Sequence, residues 1–310
     1  MQRSRRSVLL ATAVLAVGVA MFRPAGGPEA AGRVRVVTSI TDLKALTEAV
    51  GGDLVEVESL ARGNQNLHDV EVRPSLMLRL KRADLLVRNG VGGDPWVEPL
   101  VIGSQNPRIL PGARGYVDAS AGVAIARPGT AMSRVHGDVH PEGDPHYTID
   151  PASAAAVTAN IVAGLVRVAP EHASAFEGRR AEFLRALEAA MRRWEQTLAP
   201  FRGTPIITYH ESFGYFLRRF GLQPAGTIEN RPGIPPSPGH LATLVRRIKE
   251  GQIRLIVAEP FADRKVLDLV ARESGARALV VPSAVEGVKG TTGYLDLMEH
   301  LVGALADALR

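Results

Sequence analysis

The chain has 310 residues, 45% of them apolar, and a net charge of +5 from 37 Lys and Arg against 32 Asp and Glu. That length suits roughly two domains, and the composition is ordinary for a packed globular protein. The charge is interleaved, as in Arg179-Arg180-Ala181-Glu182 and Arg192-Arg193-Trp194-Glu195, so no basic patch marks a nucleic-acid surface and no nucleic-acid partner is expected. Cysteine is absent, which excludes disulfides, thiolate metal ligands and a lipidated amino-terminal Cys; any metal must be held by His and carboxylates.

The chain opens with Arg3, Arg5 and Arg6, an apolar run over 7–22, then Gly26-Gly27 and Ala30-Ala31. This is the layout of a secretory signal over residues 1–31, its apolar run too short to span a bilayer comfortably. Ser4-Arg5-Arg6-Ser7-Val8-Leu9 also resembles a twin-arginine export signal. The mature chain is expected in the periplasm, not as a lipoprotein.

From residue 34 strands and helices alternate. Residues 34–39 read as a β-branched strand, 43–50 as a helix ending at Gly51-Gly52, and 54–60 as a second strand whose following loop carries His68. A helix over 74–82 and a third strand over 84–88 come next. The stretch 112–143 is rich in Gly, Ala and Pro and is expected to be loop, with one short strand near Val117. Pro151 opens a helix at its first turn, running to about 168.

Residues 171–198 contain Gly178 but no other Gly or Pro, and Phe176, Phe183, Leu187, Ala190, Trp194 and Leu198 recur at helical spacing, which predicts one long helix. The alternation then restarts: strand 205–209, helix 212–220, helix 238–249, strand 253–258, helix 263–274, strand 278–281 and a closing helix 294–309. The fold class is α/β, with two lobes, each a mostly parallel sheet flanked by helices, joined by one long backbone helix. The expected boundaries are 32–170 for the first lobe, 171–199 for the connecting helix and 200–310 for the second lobe.

Three histidines stand at the mouths of strand-like runs: His68 in Gly63-Asn64-Gln65-Asn66-Leu67-His68, His146 in Gly143-Asp144-Pro145-His146-Tyr147, and His210 in Ile206-Ile207-Thr208-Tyr209-His210. Ligands of open α/β sheets sit beyond the carboxyl ends of strands. Imidazole is the commonest nitrogen ligand for zinc and similar ions, so three in one cleft would make a metal site. His136 and His140 lie in a Gly- and Pro-broken stretch and are expected in a solvated loop rather than a metal-gathering one. His172, His240 and His300 fall on helix patterns and are expected to be exposed or structurally satisfied. Tyr209, Phe213 and Trp96 are expected in the core.

Four stretches in order resemble the cluster A-I, or zinc/manganese-type, substrate-binding proteins of ABC transporters. They are Leu67-His68-Asp69-Val70-Glu71-Val72-Arg73-Pro74-Ser75 with Ala83-Asp84-Leu85-Leu86-Val87-Arg88-Asn89-Gly90, then Asp144-Pro145-His146-Tyr147-Thr148-Ile149-Asp150-Pro151, Ile207-Thr208-Tyr209-His210-Glu211-Ser212-Phe213-Gly214-Tyr215-Phe216, and Ile256-Val257-Ala258-Glu259-Pro260. The resemblance spans nearly the whole mature chain. It implies two α/β lobes, a metal ion between them, His68, His146 and His210 as ligands, and an inner-membrane ABC permease as partner. A monomer is expected.

One position departs from the family pattern. Ser283, in Val281-Pro282-Ser283-Ala284, stands where the resemblance calls for an aspartate ligand. Water or a carboxylate such as Glu259, Glu211 or Glu286 would then take the fourth place, and Glu259, at a strand end, is the best placed. Three imidazoles favour Zn²⁺ as the transported ion over Mn²⁺, which prefers oxygen ligands. The expected protein is a carrier and not an enzyme. The rival readings are a zinc hydrolase with Glu211 as general base, though the chain contains no His-Glu-x-x-His helix, and a metal-binding surface adhesin.

Overall fold

The computed structural model describes residues 32–126, 143–229 and 234–310. The expected signal over 1–31 and His136 and His140 lie outside these residues. Over 33–310 the chain forms one compact unit.

The first sheet is built from β1 (Val34–Thr38), β2 (Val55–Ser59), β3 (Leu85–Arg88) and β4 (Tyr116–Asp118), all parallel, in the order β2-β1-β3-β4. Val36 and Val37 of β1 and Leu85, Leu86 and Val87 of β3 are all buried, as parallel strands covered on both faces must be. Helices α1 (Thr41–Gly51), α2 (Pro74–Arg82), α3 (Val97–Ser104) and α4 (Ala154–Val168) follow in chain order. Gly52 takes φ 57° after α1, a turn that favours glycine, and Pro74 opens α2 where its missing N–H costs nothing. The helix expected from Pro151 begins at Ala154, because a 3₁₀ turn over Pro151–Ser153 precedes it.

The long helix α5 spans Ala173–Leu198 and buries the six apolar residues its periodicity marks. The second sheet repeats the topology of the first. Its strands β5 (Pro205–Thr208), β6 (Gln223–Thr227), β7 (Leu255–Ala258) and β8 (Arg277–Val280) are parallel, in the order β6-β5-β7-β8. No residue-level repeat announces this, since the two halves share a connection scheme and not side chains.

The second set of helices is α6 (Gly214–Arg219), α7 (Pro238–Glu250), α8 (Arg264–Ser274) and α9 (Tyr294–Leu309). Ser237 caps α7 by accepting from the His240 amide at 3.2 Å, and Asp263 caps α8 by accepting from Lys265 at 2.8 Å.

One apolar core joins the first sheet, α4, α5, α9 and the inner face of the second sheet; a smaller core lies between that sheet, α7 and α8. The closing helix α9 therefore packs on α5 and α1 while it follows the second sheet in the chain. In each sheet the central strand, β1 or β5, has neighbours reached by crossovers in opposite directions. That switch point opens a crevice at the carboxyl ends of the strands, and the three histidines lie in the loops there.

Candidate metal centre

His68 lies in the loop after β2. Its amide donates to Asn66 Oδ1 at 3.0 Å, and Trp96 Nε1 donates to the Leu67 carbonyl at 2.7 Å, so a buried indole anchors the preceding residue. Trp96 is a core residue, as expected, and it also steadies this loop.

His146 starts a 3₁₀ turn over Tyr147–Ile149 and is buried. Asn89 grips the turn from both sides: its Nδ2 donates to the Pro145 carbonyl at 3.1 Å, and its carbonyl accepts from Tyr147 Oη at 2.7 Å. His210 lies two residues beyond β5, at the start of the 3₁₀ turn Glu211–Phe213, and is 1% exposed.

These three side chains, from loops far apart in sequence, converge. Ring centroids stand 5.1, 5.6 and 5.2 Å apart with interplanar angles of 65–78°. One nitrogen from each ring lies within 4.8 Å of the others, and Nε2 of His68 and His146 are 3.2 Å apart. Nitrogens of a tetrahedral zinc site with bonds of about 2.0–2.1 Å stand about 3.3–3.4 Å apart. The spacing suits a small cation.

Two carboxylates orient the rings from behind. Asp144 Oδ1 is 2.8 Å from His146 Nδ1 and accepts from the His146 amide at 3.0 Å. Glu229 Oε2 lies 3.2 Å from His210 Nδ1. A carboxylate at Nδ1 fixes the proton there and leaves the Nε2 lone pair for a metal. Burial would raise the Asp144 carboxyl, but the His146 ring and amide and the Arg218 charge outweigh it and hold Asp144 below the usual carboxylate range. Sequence reasoning missed both partners. Asp144 could have been found: two residues before His146, its side chain reaches back to the His amide as an Asx turn. Glu229 could not, because it reaches His210 only from the segment just after β6, where its amide donates to the Tyr209 carbonyl at 2.7 Å.

The carboxylates considered for the fourth place are distributed differently. Glu259 directly follows β7 and is 1% exposed, but it is not one of the group that the three histidines form. Neither of its oxygens makes a hydrogen bond of normal geometry among the described residues. Burial raises its pKa, while His210 and the Ser212 hydroxyl favour the charged form. Glu286 is turned to Lys44, 2.6 Å from its Nζ. Glu211 begins the 3₁₀ turn after His210 and is likewise outside the histidine group. Ser283 lines a cavity of about 30 Å³ with His146, Thr148 and Ser212, room for about one water.

Asp42, in the first turn of α1, lines the same cavity and is 1% exposed. Burial pushes its carboxyl up to about 6 against hydrogen bonds from the Val285 amide and Thr148. A carboxyl raised in the folded state destabilises the fold once it ionises, and the penalty fades as pH falls from about 6 towards the unfolded value near 3.8. Asp42→Asn should therefore stabilise the metal-free protein above pH 6 by about 3 kcal/mol, from some two units at 1.36 kcal/mol each. The gain should close between pH 6 and 4. Chemical denaturation across that range measures it.

The sequence matches the profile of the family described as "ZnuA: Zinc-uptake complex component A periplasmic" over residues 36–308. The chain belongs to this family. The high-affinity zinc uptake system protein ZnuA of Bacillus subtilis is 27% identical over 287 residues, covering 89% of this chain and 88% of that protein. The protein of the same name from Paracoccus denitrificans is 28% identical over 298 residues, covering 89% and 91%. A zinc-bound crystal structure of a ZnuA 138–173 deletion mutant superposes with a TM-score of 0.75 at 26% identity, covering 89% of this chain and 98% of that one. These similarities bear out the α/β two-lobed fold with its long helix and the resemblance that the histidine motifs carry. Family members are substrate-binding components of transport systems.

The orienting carboxylates give a prediction that the family alone does not. Asp144→Asn and Glu229→Gln should each weaken zinc binding 10- to 100-fold, the usual cost of losing such a partner, without loss of the fold. Zinc titration calorimetry beside a thermal melt checks this.

Proposed function

We propose that this protein is an exported, periplasmic zinc receptor. It holds Zn²⁺ on the Nε2 atoms of His68, His146 and His210 and delivers it, as a monomer, to an inner-membrane ABC permease. The observation that carries this reading is the convergence of three imidazoles, two of them backed by carboxylates, at the switch points of two parallel sheets. Membership of the zinc-uptake family supports transport over catalysis. The donor set supports zinc over manganese, which prefers carboxylate and water. We further propose that residues 1–31 form the export signal and that the lobes comprise 32–170 and 200–310, joined by the helical segment 171–199. The core shared by α5, α9 and both sheets supports limited lobe movement on binding, with capture achieved by ordering of loops.

The test is titration of the mature protein with Zn²⁺ and Mn²⁺, together with growth of a deletion strain in zinc-depleted medium. Stoichiometric binding of one zinc without turnover, and growth restored by zinc, are expected. Manganese binding tighter than zinc would overturn the assignment of the ion.

The fourth position follows from Ser283. We assign it to water, because the buried Glu259 carboxylate lies outside the histidine group. Glu259→Gln should change zinc affinity by less than about fivefold. Ser283→Asp should tighten zinc about tenfold and manganese by more, since the added hard oxygen suits manganese better. Competition against a chromophoric chelator reads both variants.

A further inference from the structure

We propose that Asp42 is a charge-bearing positioning residue of the metal centre: without touching the ion, it ties the His146 segment to the 283–286 loop and supplies negative charge on that side. The inference rests on the three-histidine reading above and deepens it.

The connections are specific. Asp42 Oδ2 accepts from Thr148 Oγ1 at 2.8 Å, two residues beyond His146. Its Oδ1 accepts from the Val285 amide at 2.7 Å, two residues beyond Ser283. Thr41 Oγ1 donates to the Val285 carbonyl at 2.7 Å, and Lys44 Nζ meets Glu286 at 2.6 Å. The loop also presses on Gly63, where a Cβ would come within 2.0 Å of the Val285 carbonyl oxygen. One end of α1 thus pins two segments that border the site.

Hydrogen bonding alone does not require a charge at Asp42. A buried carboxylate is costly unless something answers it, and among the described residues no ion pair reaches Asp42. Arg62 lines the same small cavity but makes no salt bridge to it. Asp42 is the one carboxylate among the residues that line this cavity, which runs past His146 to Ser283. Three neutral imidazoles leave the full double charge of a bound zinc uncompensated. Asp144 answers it behind His146 and Glu229 behind His210. Asp42 answers it on the Ser283 side, where the loop offers a neutral hydroxyl.

Asparagine separates the two roles. In Asp42→Asn the amide oxygen still accepts from Val285 and the NH₂ can donate to the Thr148 hydroxyl, so the tie persists and the charge goes. The interaction of a fixed charge with an ion scales with the ion's charge. Wild type and Asp42→Asn should be titrated with Zn²⁺ and with Ag⁺, a monovalent ion that imidazole also binds. We expect zinc affinity to fall about tenfold and silver affinity about threefold, the square root. Thr148→Val, which removes one bond and keeps the charge, should leave the zinc-to-silver ratio unchanged. Should Asp42→Asn fail to fold, Asp42→Ser is the neutral variant to titrate.

Zinc affinity within twofold of wild type, or equal losses for the two ions, would overturn the charge role. His146→Ala, measured alongside, separates the two readings. If it keeps zinc affinity, the three-histidine site itself fails. If it loses zinc while Asp42→Asn does not, only the role of Asp42 fails.

Discussion

Replacing His68, His146 or His210 with alanine should each weaken zinc binding by more than 100-fold, beyond the usual cost of losing an orienting carboxylate. Each change removes a direct bond, and two imidazoles with water cannot restore it. The nitrogens already stand near tetrahedral spacing, 3.2 Å between His68 and His146 Nε2, so wild type spends little on arranging them. The fold should tolerate the changes to different degrees. His68 is half-buried in a loop, whereas His146 and His210 are 5% and 1% exposed, and alanine there leaves a small cavity costing roughly 1–3 kcal/mol. Calorimetry beside thermal melts distinguishes lost ligation from lost folding. Unchanged zinc affinity in any two of the three variants would sink the site assignment.

Zinc affinity should also collapse in mild acid. A ligating imidazole must be neutral, and its unperturbed pKa is about 6.5. Protonation therefore opposes binding below neutrality, and the sign is fixed: affinity falls as pH falls, and metal release takes up protons. Between pH 7.5 and 5.5, three such groups would cost about a thousandfold, a factor of about ten each. Asp144 and Glu229 stand against two of the rings, so both carboxylates stabilise the imidazolium that competes with the metal. Calorimetry in buffers of differing ionisation enthalpy gives affinity and proton count together. Affinity that is flat across this range would exclude a site made of three imidazoles.

Much of the architecture was legible in order. β-Branched runs marked β1, just after Gly32, and β7, just before Glu259-Pro260, and the apolar spacing from Phe176 to Leu198 marked α5, because burial on one face leaves a period in the chain. Two elements carried no such mark. Helix α3 is buried at Val97, Leu100, Val101 and Ser104 and so alternates weakly with polar residues. Strand β6 contains Pro224 and Gly226, poor strand formers, with a register shift opposite Ile206 and Ile207; its pairing with β5 overrides local preference.

The sequence by itself determined the chemistry available: no thiolate, three histidines at strand ends, and a serine at position 283. Those are properties of residue type and of local pattern, which survive without a fold. Only the tertiary structure decided which groups meet. It brings His68, His146 and His210 together and leaves Glu259 outside their group. It sets Glu229 against His210 across two strands and ties Asp42 to Val285, 243 residues away. Such pairings depend on sheet order and crossover direction, and contacts closed over long loops leave no periodic trace in the chain.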